Sequence, residues 1–191
     1  MSSSKYALFV CDLQSRFRPI IHAFPTVLRS ANTFIKIASI VDMPIYVTEQ
    51  NPAKLGATCE EITESLKESR LTQIVAKMRF SMVDSSALTF LEGRTSVILL
   101  GIETHVCIQQ TAFDLLARGL NVIIPVEAVS SQRVEDRNAS LRLLLARGAT
   151  ITTVESAVMT MLETAEHPSF RQVMKVMLAH SSAIKELPKL E

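Results

Sequence analysis

The stretch Ser-Val-Ile-Leu-Leu-Gly-Ile-Glu-Thr-His-Val-Cys, residues 96–107, decides the predicted fold. Residues 96–102 form an apolar run with no alternation of polar and apolar side chains. Such a run is typical of a strand buried on both faces, as in a parallel sheet covered by helices. Polar residues follow at once, and a helical pattern begins near Val106. Residues 102–107 therefore mark the carboxyl end of a central strand.

The rest of the chain repeats this alternation of short apolar runs and longer amphipathic segments. Strands are predicted at Tyr6–Cys11, Ile45–Thr48, Gln73–Lys77, Ser96–Ile102, Val122–Val126 and Ile151–Val154. Helices are predicted at 25–40, 58–67, 85–91, 106–117, 134–146 and from 157 to 178, the last with a break at 167–168. Strands alternating with helices in this way predict a three-layer, doubly wound α/β fold with a six-stranded parallel sheet. We expect residues 1–191 to form a single domain.

Charge and composition exclude several classes of protein. The 20 basic and 19 acidic residues leave a net charge of +1, which provides no long-range attraction for nucleic acids or anionic membranes. The apolar runs are about seven residues long, whereas a membrane-spanning helix needs roughly 20. The N-terminus lacks the apolar segment of a secretory signal. Three cysteines indicate reduced thiols rather than a disulfide framework. We therefore expect an intracellular protein, in the cytoplasm, with an organelle as the alternative.

The residues that follow the strands are candidates for function, because ligands of doubly wound sheets bind beyond the carboxyl ends of the strands. Asp12 follows the first strand, Lys77 ends the third and Cys107 follows the fourth. Thr104 is a suitable N-cap, which places Cys107 in the first helical turn, where the helix dipole stabilises a thiolate. Lys77 adds positive charge, and Asp12 can accept the thiol proton. The sequence predicts Cys107 to be a nucleophile; the alternative is a small buried apolar residue.

No pattern for a metal or a cofactor is found. The histidines, at positions 22, 105, 167 and 180, do not have ligand spacing, so we expect no metal. His105 lies two residues from Cys107, which turns the two side chains apart on a helix. The five glycines form no phosphate loop or dinucleotide motif, so we expect no cofactor. Cys11 is predicted to lie in the core and Cys59 in a surface loop.

Three separated motifs resemble the isochorismatase-like (cysteine hydrolase) superfamily over nearly the whole chain. They are Asp12-Leu13-Gln14 after the first strand, Lys77 after the third, and Gly101-Ile102-Glu103-Thr104-His105-Val106-Cys107 with Thr111 after the fourth. The loop Thr48-Glu49-Gln50-Asn51-Pro52 resembles that of the branch containing isochorismatase domain-containing proteins.

The resemblance implies a strand order of 3-2-1-4-5-6 and a catalytic triad. Asp12 would be the base, Lys77 the electrostatic partner and Cys107 the nucleophile. It also implies a cis peptide bond at Ile102–Glu103 and an oxyanion hole formed by the backbone N–H groups of Glu103 and Cys107. The predicted substrate pocket consists of Gln14, Phe17, Glu49, Gln50, Phe80 and Thr104. For Phe17 and Phe80, core packing is the alternative.

Two departures from the family narrow the expected chemistry. The nicotinamidase branch binds a metal through a cluster after the second strand, where this chain has Glu49-Gln50-Asn51 and no histidine. Isochorismatases that cleave a vinyl ether lack the cysteine. We therefore predict hydrolysis of a small amide or related acyl substrate through a thioester on Cys107. The alternatives are a catalytically idle relative that serves as a binding or scaffold protein, and, less favoured by the charge, a nuclease or RNA-binding protein.

The C-terminal helical region, about 156–180, is predicted to form subunit contacts. It carries Met159, Met161, Met174 and Met177 among other apolar residues, and exposed apolar stripes usually bury against a partner. The alternative is a helix packed on its own sheet. We expect a homo-oligomer, either a dimer or a tetramer.

Overall fold

The computed structural model describes residues 5–183, and its elements alternate along the chain as the sequence predicts. The strands are β1 (Tyr6–Cys11), β2 (Ile45–Gln50), β3 (Thr72–Lys77), β4 (Ser96–Ile102), β5 (Asn121–Pro125), β6 (Val129–Ser130) and β7 (Thr150–Thr152). The helices are α1 (Phe24–Ile40), α2 (Pro52–Leu55), α3 (Glu60–Leu66), α4 (Ser85–Leu91), α5 (Gln109–Leu116), α6 (Val134–Ala146), α7 (Val154–Leu162) and α8 (Phe170–Ala183).

The strands form one parallel sheet in the order β3-β2-β1-β4-β5-β7. This order confirms the predicted doubly wound fold. In it, β7 corresponds to the sixth predicted strand, Ile151–Val154. The short β6, which pairs with the end of β4, was not predicted because two residues are too few to show a period. The strand order reverses between β1 and β4, so the crevice for a ligand lies at their carboxyl ends.

Two apolar layers cover the sheet because its central strands are apolar on both faces. In β1, Leu8 and Val10 pack into one layer, whereas Ala7, Phe9 and Cys11 pack into the other. The first layer also contains the apolar face of α1, together with residues of α3, α7 and α8. The second contains residues of α4, α5 and α6. The central strands are thereby held rigidly, and so are the residues at their ends.

The C-terminal helices contribute side chains to the core of their own chain, and a subunit contact through this region stays a prediction. Met161 and Met177 are at most 2% exposed and belong to the core layer that contains α1. The Nδ1 atom of His180 lies 3.0 Å from the hydroxyl of Thr33 in α1. Met161 of α7 and Met177 of α8 therefore face the core, whereas Met159 and Met174 are only partly buried.

Two boundaries of this region also differ from the prediction. The helix α7 begins at Val154, where Thr153 accepts a hydrogen bond from the backbone N–H of Ser156 as an N-cap. The helix α7 ends at Leu162 and α8 begins at Phe170, so the break between them is wider than the predicted 167–168. No helix within residues 5–183 is long and apolar enough to cross a membrane.

Candidate active site

The structure brings Asp12, Lys77 and Cys107 together at the carboxyl edge of the sheet. The Lys77 Nζ lies 2.7 Å from Asp12 Oδ2 and 3.7 Å from Cys107 Sγ. Only 1% of the Asp12 side chain and 7% of the Lys77 side chain are exposed. Because β3, β2, β1 and β4 are parallel neighbours, the residues at their carboxyl ends lie along one edge of the sheet. The carboxylate of Asp12, the ammonium group of Lys77 and the thiol of Cys107 are therefore neighbours in one buried site.

Asp12 is fixed by the strand that precedes it and by β2. Its backbone has a φ of 52°, a left-handed conformation that few residues other than glycine adopt. Its backbone N–H donates to the carbonyl of Thr48 at 3.1 Å. Its Oδ1 accepts a hydrogen bond from the Thr48 hydroxyl at 2.7 Å, while Oδ2 faces Lys77. The Thr48 contact was not predicted, although Thr48 ends a predicted strand.

Lys77 is held as a cation. Its ammonium group also donates to Gln50 Oε1 at 2.8 Å and to the carbonyl oxygens of Phe80 and Arg79 at 3.0 and 3.2 Å. Burial alone would lower the pKa of Lys77, but the neighbouring acidic groups, including the Asp12 carboxylate at 2.7 Å, outweigh that effect and raise the pKa. Lys77 therefore supplies positive charge to the site at neutral pH and is not a proton acceptor.

Cys107 lies in a π-helical turn, Thr104–Ile108, that leads into α5. Such turns occur frequently at functional sites. The predicted N-cap at Thr104 is wrong: the capping position is Glu103, which has extended backbone angles, and its side chain makes no capping bond. The backbone N–H groups of Val106 and Ile108 both donate to the Glu103 carbonyl at 3.1 Å. Cys107 remains within the first turn, as predicted.

Thr104 is completely buried, and its hydroxyl has no hydrogen-bond partner among the described residues. Its backbone carbonyl accepts a hydrogen bond from Ser140 of α6 at 2.9 Å. The α6 contact fixes the start of the turn. Thr104 was predicted as a pocket residue, and its unpaired hydroxyl is a group that a ligand could engage.

A close approach between β4 and β1 positions the cysteine turn. Gly101 has a φ of 119°, and a Cβ atom at this position would lie 2.1 Å from the carbonyl oxygen of Cys11. Only glycine fits here. The next peptide bond, Ile102–Glu103, is cis. Because Gly101 is the register partner of Cys11, the end of β4 lies beside the end of β1, which Asp12 follows.

The site contains a second cysteine that the sequence assigned only to the core. Cys11 is fully buried, and its thiol donates to Asp12 Oδ2 at 3.4 Å. Its sulfur lies within 4.8 Å of the Cys107 sulfur. Burial, and then the hydrogen bond with Cys107, raises the pKa of Cys11 well above its usual value. Cys11 is therefore a neutral thiol beside the candidate nucleophile.

Cys11, Asp12 and Cys107 are the only group of metal-ligand atoms within residues 5–183 that lie close enough together to hold an ion. The Lys77 ammonium already contacts the carboxylate of this group at 2.7 Å. Its positive charge disfavours a second cation at that position. The geometry fits an acid–lysine–thiol arrangement better than a metal centre.

The predicted pocket residues Gln14 and Glu49 are engaged within the protein. Gln14 is fully buried; its Nε2 donates to the carbonyls of Gln50 and Gly56, and its Oε1 accepts from the Gln50 N–H. The Oε1 of Glu49 accepts hydrogen bonds from the N–H and hydroxyl of Thr58. These contacts hold the loop that follows β2, and Gln50 in turn orients Lys77.

The two predicted aromatic residues differ in position. Phe17 is half-buried and packs against the core layer of α1, which is the core-packing alternative. Phe80 is 50% exposed, and its carbonyl accepts from Lys77. It borders a cavity of about 380 Å³ lined by Arg79, Phe80, Ser81, Gln110, Phe113 and Asp114.

A cavity between α1 and α8 and the side chain of His105 both lie apart from the group formed by Asp12, Lys77 and Cys107. The cavity has a volume of about 650 Å³. His105 contacts the Ser131 hydroxyl through Nδ1 at 3.0 Å, which agrees with the prediction that it does not pair with Cys107. Cys59, predicted in a surface loop, is 1% exposed, because its loop packs against the core layer of α1.

Comparisons with known proteins show which family the chain resembles. A family model described as "Isochorismatase domain" matches residues 6–156. The chain is 38% identical over 177 residues to the "Secreted isochorismatase effector Isc1" of Phytophthora sojae, covering 91% of this chain and 84% of the relative. It is 41% identical over 172 residues to "Isochorismatase domain-containing protein 2A" of Mus musculus, covering 88% and 81%. A solved structure of "MAR1 Ribonuclease" from Caenorhabditis elegans superposes with a TM-score of 0.91 at 38% identity, covering 100% of this chain and 99% of that chain.

Proposed function

This chain belongs to the isochorismatase family of hydrolases, and we propose that it hydrolyses a small amide or related acyl substrate through a thioester on Cys107. One observation carries the proposal. The buried Lys77 ammonium lies within 2.7 Å of Asp12 and 3.7 Å of Cys107. This arrangement stabilises a thiolate and places a proton acceptor beside it.

In the first step, Asp12 accepts the Cys107 proton, and the sulfur attacks the substrate carbonyl carbon. The charge that develops on the carbonyl oxygen is stabilised by the backbone N–H groups of Glu103 and Cys107. Asp12 then returns the proton to the leaving nitrogen as the C–N bond breaks. The nitrogen leaves as an amine, and the acyl group remains on Cys107 as a thioester.

In the second step, Asp12 takes a proton from a water molecule, which attacks the thioester carbonyl. The C–S bond breaks, and the acid product and the Cys107 thiolate are released. Lys77 stabilises the Cys107 thiolate when it forms in each step, because the raised pKa of Lys77 keeps its ammonium group charged. The limited exposure of Cys107, 7%, favours a small substrate over a polymer.

A screen of small amides and esters with matched cysteine variants tests this proposal. We expect Cys107→Ala to abolish turnover and Cys59→Ala, which removes another buried thiol, to leave it unchanged. Asp12→Asn should reduce turnover by about 100- to 10,000-fold. Intact-mass spectrometry during turnover should detect an acyl group on Cys107. Undiminished hydrolysis by Cys107→Ala would contradict the mechanism.

Ribonuclease activity is the second candidate, because the structural relative from Caenorhabditis elegans is described as a ribonuclease. A net charge of +1 and the burial of Asp12 disfavour RNA as the substrate, since a phosphodiester chain must reach the base. Cleavage of a labelled single-stranded RNA measures this directly. RNA cleavage that is lost in Asp12→Asn, without turnover of any amide, would establish the second candidate instead.

A catalytically idle binding or scaffold role is distinguished by the same experiments, because an idle protein would turn over none of the amides, esters or RNA tested.

We place the protein inside the cell, in the cytoplasm, because its three thiols are free and reduced cysteines are typical of that compartment. A relative from Phytophthora sojae is named as secreted, so cell fractionation with an antibody to this chain is the appropriate measurement. Recovery in the culture medium would contradict the cytoplasmic assignment.

A further inference from the structure

The site described above holds two cysteines, and the proposed hydrolysis uses one of them. Cys11 ends β1, and Cys107 lies in the turn after β4, the strand beside β1. Their sulfur atoms are within 4.8 Å of each other, and both lie within the same distance of a carboxylate oxygen of Asp12. Two neighbouring thiols can be oxidised to a disulfide, which is a reaction that the proposed hydrolysis does not use.

We propose that Cys11 is a resolving cysteine, which converts a peroxide-oxidised Cys107 into a reversible Cys11–Cys107 disulfide. The inference rests on Cys107 being a reactive thiolate and does not depend on which substrate the protein hydrolyses. It assigns a modification site to Cys11 and a hydroperoxide as the co-reactant.

The first step oxidises Cys107. Its thiolate attacks one oxygen of the hydroperoxide, an S–O bond forms and the O–O bond breaks. The other oxygen leaves as hydroxide or alkoxide and takes up a proton. Cys107 becomes a sulfenic acid, and the peroxide is reduced to water or an alcohol. Lys77, 3.7 Å from the Cys107 sulfur, favours the thiolate that this step requires.

The second step forms the disulfide. The Cys11 sulfur attacks the Cys107 sulfur, an S–S bond forms and the S–O bond breaks. The hydroxyl group leaves with the Cys11 proton as water. That proton has an acceptor in place, because the Cys11 thiol already donates to Asp12 Oδ2 at 3.4 Å. A disulfide needs its sulfurs about 2.05 Å apart, so rotation of the two side chains must close the remaining gap.

The environments of the two thiols assign their roles in this order. Cys107 is slightly exposed, whereas Cys11 is fully buried. Burial favours the neutral form of Cys11, which reacts poorly with peroxide. Peroxide therefore oxidises Cys107 first, and Cys11 reacts only when the sulfenic acid is next to it. The disulfide protects Cys107 from irreversible oxidation to a sulfinic acid.

Peptide mapping of the oxidised full-length protein tests the inference without any substrate. The reduced protein is treated with hydrogen peroxide, blocked with N-ethylmaleimide under denaturing conditions and digested without reductant. We expect a linked peptide pair containing Cys11 and Cys107, and alkylation of Cys59 alone. Dithiothreitol should restore all three alkylatable thiols. The variant Cys59→Ser should give the same linked pair.

The variant Cys11→Ser keeps the connectivity of the side chain, with a smaller oxygen atom in place of the resolving sulfur. We expect this variant to accumulate sulfinic acid on Cys107, with a loss of alkylatable Cys107 that dithiothreitol does not reverse. A melting temperature equal to that of the wild type confirms that the variant is folded; if it is not, Cys11→Ala provides the comparison. Two results overturn the inference: a wild-type protein in which Cys107 becomes sulfinic acid without a linked pair, or equal recovery by dithiothreitol in both proteins.

Discussion

At the residue scale, the stability and chemistry of the site depend on the charge of Lys77. Asp12 is buried beside it and would be an uncompensated charge without it, because the remaining partners of Asp12 are the hydroxyl of Thr48 and the thiol of Cys11. A buried pair is costly to break from one side even where its net contribution to folding is small. The same contact therefore governs both folding and reactivity.

We expect Lys77→Met to lower the free energy of unfolding by about 3–5 kcal/mol, measured by urea unfolding. The exposed pair of Lys67 and Glu64 offers a control: Lys67→Met should change the free energy of unfolding by about 0.5 kcal/mol or less. Adding Asp12→Asn to the Lys77→Met protein should restore part of the loss, because the unpaired charge is removed. Equal effects of Lys77→Met and Lys67→Met would contradict the assignment.

A second prediction concerns Gly101, whose missing side chain allows β4 to approach β1. Gly101→Ala places a Cβ atom 2.1 Å from the Cys11 carbonyl oxygen, whereas Gly119→Ala has a positive φ and nothing within 4 Å. Gly119→Ala should cost about 1–3 kcal/mol of backbone strain, and Gly101→Ala should cost more. Thermal unfolding of the two variants measures the difference, and similar melting temperatures would show that the close approach is unimportant.

At the scale of elements, α8 is attached to α1 through an apolar face and one buried histidine. His180 is 6% exposed and contacts the Thr33 hydroxyl. The hydroxyl hydrogen of Thr33 is donated to the carbonyl of Arg29. The Nδ1 of His180 must therefore be the donor in the contact, since one hydroxyl donates only one hydrogen.

The docking of α8 should weaken in acid. Burial, and then the positive charge of Arg29, lowers the pKa of His180 from its ordinary 6.5, while Glu155 opposes the shift. Below pH 6.5 the unfolded chain binds this proton before the folded chain does, so stability is lost as the pH falls. We expect the melting temperature of His180→Gln to fall less between pH 7 and pH 5.5 than that of the wild type. Parallel curves in this range would contradict the prediction.

At the scale of the whole molecule, four of the exposed large apolar residues within residues 5–183 lie in and around β3. β3 is an edge strand, and Leu71, Ile74, Met78 and Phe80 in and around it are between 44% and 71% exposed. An edge strand with exposed apolar side chains is a template for pairing with another chain. We therefore predict that self-association, where it occurs, uses β3, which would bring a second copy close to Lys77.

Light scattering with size-exclusion chromatography tests this interface. Ile74→Lys should shift the mass towards the 21.1 kDa monomer, because a charge is buried in the proposed contact. Leu178→Lys, on the exposed side of α8, should leave the mass unchanged. The reverse result would return the interface to the C-terminal helices, and a monomeric wild type would exclude both surfaces.

The sequence by itself determined the order of the elements and the residues at the strand ends. Runs of apolar residues without alternation require a sheet covered on both faces, and parallel strands bring their carboxyl ends to one edge. These two rules are sufficient to predict that Asp12, Lys77 and Cys107 lie at the same edge of the sheet. The strand order itself came from the family resemblance, since periodicity does not specify which strands are neighbours.

Only the tertiary structure decided which groups each side chain contacts. Periodicity shows that a face is apolar but not what covers it, and only the structure shows that Met161 and Met177 lie in the core layer that contains α1. Gln14 and Glu49 bind the loop after β2, Thr104 lies inside the turn that it was expected to cap, and Cys11 adjoins Cys107. Each depends on contacts between residues far apart in the chain, which local sequence patterns do not encode.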